Sequence, residues 1–129
     1  MLRRTIALAL AGLALAAPPA LADSHWNSQM KDATATASRS AGGCSIQPGR
    51  HQGSLYVSCN HKEHATLIYS FPIRNGSQIQ GKPWCGVTWG GLADVHHSWK
   101  LSGGALRVTV TVANGTALLS TVSVGYYTK

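Results

Sequence analysis

The sequence predicts an all-β fold: an antiparallel meander of six or seven strands that forms a small sandwich or barrel. Two observations carry this expectation. From Cys44 onward apolar residues recur at every second position, and the runs are separated by turn dipeptides such as Asn-Gly and Gly-Gly. The clearest run is 105–112, where Leu106, Val108, Val110 and Val112 share one face and Arg107, Thr109 and Thr111 the other. A single flat sheet would leave such a face in water, so the strands are expected to close over it.

Taken in order, the first 22 residues carry Arg3 and Arg4, an apolar run from Ile6 to Ala17, and Ala20-Leu21-Ala22 ahead of Asp23. This is the pattern of a secretory signal peptide, and the run is too short for a spanning helix, which needs about 20 apolar residues. The mature protein is therefore expected outside the cytoplasm, secreted or periplasmic, without a transmembrane segment. Residues 23–43 are poor in large apolar side chains and end in Gly42-Gly43. Trp26, Met30, Ala33 and Ala37 make a thin stripe at helical spacing, which predicts a flexible arm with at most one short helix. The packed all-β domain is expected over residues 44–129.

Within that domain, strands are expected near 44–47, 54–60, 64–73, 77–89, 93–101, 105–112 and 118–126. His61, Lys62, Glu63 and His64 would connect the second to the third, and Arg74-Asn75-Gly76-Ser77 and Ser102-Gly103-Gly104 supply turns further on. Asn114-Gly115 suits a type I′ hairpin turn, because both positions of that turn need positive φ. Pro72 and Pro83 mark edges or bulges, since proline cannot donate to a ladder.

Removing the leader takes away two of the 11 basic residues and no acid, leaving nine against four acids and a net charge of +5. Such a surface attracts anionic polymers, glycans or envelope components. With no run of Lys or Arg, dedicated nucleic-acid binding is not expected. Acids are scarce: Asp23, Asp32, Glu63 and Asp94 are the only ones. That argues against a glycosidase, which uses two carboxylates, and against a serine triad, for which no G-x-S-x-G elbow exists either.

Three cysteines, Cys44, Cys59 and Cys85, allow one disulfide and leave one thiol over. A hairpin around Pro48-Gly49 would set Cys44 opposite Cys59, which favours that pair.

Five further features bear on function. Of the four tryptophans, Trp84 and Trp89 have opposite parity in one expected strand, so at most one should enter the core. The exposed one, near Tyr127 or Tyr126, is the first candidate for a ligand contact through ring stacking. His61 and His64, flanking an expected hairpin tip, could share a zinc or copper ion, although HKEH lacks the spacing of catalytic zinc motifs. His25, third in the mature chain, would complete a four-nitrogen copper site with the α-amine and two backbone nitrogens. The segment Pro48-Gly49-Arg50-His51-Gln52-Gly53 presents Arg50 on a tight loop, as an inhibitor of a secreted enzyme would. His96 and His97 are adjacent in a strand and point to opposite faces, His97 towards the core. The sequence thus favours a secreted, non-catalytic binding protein for a glycan, envelope polymer or protein partner, with Trp84, Trp89, Tyr127 and Arg50 as contacts. Its rivals are a copper or zinc protein and an enzyme inhibitor.

Overall fold

A computed structural model describes residues 25–40, 42–74 and 78–129. The predicted signal peptide and the Asn75-Gly76-Ser77 turn lie outside the described residues. Among those described there are seven strands and no α-helix. The strands are β1 (His25–Lys31), β2 (Ala37–Ser40), β3 (Cys44–Pro48), β4 (Leu55–Pro72), β5 (Ile79–Gly91), β6 (Asp94–Ser102) and β7 (Ala105–Thr128). All of them belong to one open antiparallel sheet.

The topology is not a simple meander. β7 is the hub, pairing with β4 and β1 along one edge and with β6 and β5 along the other, while β2 and β3 pair with the outer edge of β4. Two expected hairpins are in fact single long strands. The runs 54–60 and 64–73 are one strand, β4, and the runs 105–112 and 118–126 are one strand, β7. Asn114 has φ 53°, but Gly115 has φ 140°, outside the range a type I′ turn needs. The chain therefore bends without reversing. Each flanking run pairs with β4 on one side and with β6 or β5 on the other, so the two runs do not pair with each other.

The bend in β7 coincides with a bulge in β4. Cys59 pairs with Gly115 and His64 with Ala113, so residues 60–63 face Asn114 alone. Beside them β5 gives way to β6 at residues 91–93, where the Leu92 N–H donates to the Thr116 carbonyl at 3.0 Å. These breaks lie in one line across the sheet and form a crease. A Cβ on Gly115 would collide with the Leu92 carbonyl, and one on Gly91 with that of Thr116, so both strands can approach only through glycine.

The crease folds the sheet onto itself. On a straight β7, Tyr126 and Ala105 would be about 70 Å apart at ~3.3 Å per residue. Yet the Tyr126 hydroxyl donates to the carbonyl of Pro72, the partner of Ala105, at 3.4 Å, and accepts from the Arg74 N–H at 3.2 Å. One half of the sheet, the hairpin half, holds β2, residues 64–72 of β4, residues 105–113 of β7, and β6. The other, the disulfide half, holds β3, residues 55–59 of β4, residues 115–128 of β7, β5 and β1. Between them lies one core. It takes Ala65, Leu67, Tyr69, Leu106, Val108, Val110 and Val112 from the first half and Val57, Ala117, Leu119, Val122 and Tyr126 from the second, all fully buried.

The segment read as a flexible arm is also corrected, because it supplies two strands of the sheet. The inward face of β1 is polar and meets β7 through amides: Asn27 donates to the Thr128 hydroxyl at 2.9 Å, and Gln29 to the Tyr126 hydroxyl at 3.1 Å. Pairing partners far along the chain outweigh the weak local pattern. Pro83 behaves as expected, sitting in the bulge of β5 between Gln80 and Trp84.

Candidate functional site

The outer surface of the disulfide half carries the most distinctive side chains. Directly opposed residues of antiparallel strands point to the same face, and the register sets Trp26 of β1 and Gln80 of β5 on either side of Tyr127. Two residues back along β7, Gly125 faces Ser28 on one side and Trp84 on the other. Trp26, Trp84 and Tyr127 therefore share one surface across three adjacent strands. They are 53 %, 57 % and 41 % exposed, high values for rings of this size.

Glycines set the posture of the indoles. A Cβ on Gly125 would strike the Trp26 ring, and one on Gly86 would meet the ring of Trp84 at 2.7 Å. Each indole thus lies down over a bare stretch of backbone and turns its other face to solvent. Trp26 also packs on Tyr127, with ring centroids 4.9 Å apart and planes tilted by 57°. Met30, two rows further on opposite Ser123, extends the apolar strip. At its near end the Gln80 side-chain oxygen is covered yet has no hydrogen-bond partner.

Trp84 and Tyr127, both candidates from the sequence, come together here. Trp26 was missed as a contact, because its helical spacing with Met30, Ala33 and Ala37 masked the alternation of Trp26, Ser28 and Met30 against Asn27, Gln29 and Lys31. Trp89 has the core-facing parity, opposite the buried Leu119, but stays 41 % exposed at the end of an outer strand. Both tryptophans of β5 are therefore exposed, and Trp89 does not belong to the same face as Trp84.

Other candidates are placed apart. Cys44 and Cys59 form the expected disulfide between directly paired positions of β3 and β4. Cys85 is a free thiol on the core-facing side of β5, and burial pushes it up to about 11. Burial alone also raises the Tyr69 phenol to about 12, and its hydroxyl has no hydrogen-bond partner. His61 and His64 do not flank a hairpin tip, since they lie along the bulge of one continuous strand, both exposed. His25 begins β1, exposed, while Asp23 and Ser24 lie outside the described residues. His97 faces the core side yet is exposed, because β6 is an outer strand with no neighbour to cover it. No group of three or more His, Cys, Asp or Glu side chains converges among the described residues. Arg50 is exposed on a tight loop, in which the Gly49 N–H donates to the Ser54 carbonyl at 2.8 Å and the Ser54 hydroxyl to that of His51 at 2.6 Å. Comparison with protein-family models, curated proteins and solved structures finds no match for this chain, so its own aromatic face is what bears on function.

Proposed function

We propose that this is a secreted or periplasmic, non-catalytic binding protein that holds a glycan or cell-envelope polymer on the face made by Trp26, Tyr127 and Trp84. One observation carries the reading: three large rings share a single exposed surface, and two of them lie flat over glycines. Exposed apolar rings gathered on one patch are costly to solvate and mark binding surfaces. Rings held flat by the backbone lose little entropy on meeting the C–H face of a sugar. The two halves of the creased sheet enclose one core beneath this platform. The Cys44–Cys59 disulfide fits an oxidising compartment, and no described helix is long and apolar enough to cross a membrane.

Retention of the purified protein on insoluble polysaccharides and isolated cell-wall material tests this directly. Trp84→Ala and Trp26→Ala should each lower retention about tenfold or more, as loss of a central aromatic anchor does, with the far-ultraviolet spectrum unchanged. Undiminished retention in the double variant would exclude the aromatic face.

A further inference from the structure

The outer surface of the hairpin half, on the other side of the folded sheet, is polar and basic. Register arranges it in rows: Arg39, Thr66, Thr111 and His96 lie side by side across four strands, and Lys100 stands directly opposite Arg107. Arg39, His96, Lys100 and Arg107 are all exposed.

Two cations opposed in this way have Cβ atoms about 5 Å apart and repel, whereas an acid at either position would attract. None of the described acids stands beside Lys100 and Arg107. Asp32 packs on Gly53 and Glu63 on Gly43, and Asp94, at the edge of this face, accepts from the Asn114 amide at 3.1 Å. The repulsion between Lys100 and Arg107 is therefore left for an outside anion to relieve.

Extent and chemistry narrow the partner. His96 and Lys100 are about 13 Å apart along β6, and Arg39 lies about 14 Å across the strands from His96. Such a patch spans several acid groups of an extended chain, more than one small anion would occupy. The threonine hydroxyls between Arg39 and His96 suit sugar hydroxyls. No Phe, Tyr or Trp occupies these rows to stack a base, as single-stranded nucleic acid would require.

We propose that this second face, centred on Lys100 and Arg107, binds the acid groups of an extended acidic polysaccharide. The Arg107 guanidinium takes a carboxylate or sulfate through paired N–H donors, and Lys100 adds a point charge. The site is independent of the aromatic face.

The experiment titrates the purified protein with polygalacturonate at low salt, beside a sulfated glucan and duplex DNA. Binding should weaken as salt rises, and the Lys100→Gln/Arg107→Gln variant should lose about tenfold in affinity, the equivalent of one charge-assisted contact. Retention on neutral polysaccharide should not change. Arg107→Glu separates function from structure, because it should raise the melting temperature by removing the repulsion while lowering polyuronate binding. No binding of polygalacturonate or sulfated glucan by the unaltered protein would overturn the proposal. So would undiminished binding by the double variant, or tighter binding of duplex DNA than of either glycan.

Discussion

The backbone N–H of Lys62 donates to the side-chain oxygen of Asn114 over 2.6 Å, tying the bulge of β4 to the bend of β7. The same amide donates to Asp94 at 3.1 Å, so one side chain connects three strands where the sheet turns over. Asn114 also holds φ 53°, a conformation that asparagine tolerates better than most residues.

Asn114→Ala removes both bonds and puts a less tolerant residue at positive φ. The expected loss is about 2 kcal/mol in urea unfolding. Asn114→Gly keeps the backbone comfortable and should lose less. Equal losses would show that the hydrogen bonds alone matter.

The Cys44–Cys59 bridge closes a separation of 15 residues. In the chain-entropy model such a loop contributes about 3 kcal/mol. The paired Cys44→Ser/Cys59→Ser variant should lose about that amount, and reductant should lower the denaturation midpoint of the parent but not of the variant.

Alkaline pH should destabilise the fold through the buried Tyr69 and the half-buried Cys85. Burial disfavours the thiolate of Cys85 and the phenolate of Tyr69, raising their folded values to about 11 and about 12 from 9.0 and 10.0. Their contribution is fully present below the unfolded values and is lost as pH rises through the folded ones. The urea midpoint should fall between pH 9 and pH 12, less steeply in Cys85→Ala and Tyr69→Phe. Alkylation of Cys85 in the native protein at pH 8 should be about a hundredfold slower than in the unfolded chain, following the thiolate fraction.

Gly125→Val tests the posture of the aromatic face without removing a ring. A side chain there collides with Trp26 and must lift it off the sheet. Tryptophan fluorescence should change and polysaccharide retention should fall about tenfold, while valine, a good strand former, keeps the fold. Retention equal to that of the parent would mean that the flat posture is irrelevant.

The alternating runs of the chain made its strand class legible, together with the positions of β3, β5 and β6 and the disulfide partner of Cys59. Connectivity was not legible. Asn114-Gly115 is locally a hairpin signal, and only the neighbours on both sides of β7, drawn from β4, β5 and β6, convert it into a bend. The same holds for His61 to His64, which local pattern places in a turn and the long-range register places in a bulge. β1 was hidden because its inward residues are Asn27, Gln29 and Lys31, and the first two find their partners, the Thr128 and Tyr126 hydroxyls, about a hundred residues away. The candidate site followed the same division. Trp84 and Tyr127 were visible as exposed aromatics on strands, whereas Trp26 joined them only through that distant pairing.

β7 has a kinetic consequence as well. β1, β5 and β6 have their ladders with β7, and β4 has its longest there, so a chain synthesised only as far as Ser102 can assemble little beyond the β2, β3 and β4 ladders. Sheet assembly has to wait for β7, and β1 and β7 must then find each other across all the strands between them. Folding dominated by such distant partners belongs to the slow end, milliseconds to seconds. A nascent chain of this protein therefore stays open until β7 has been made.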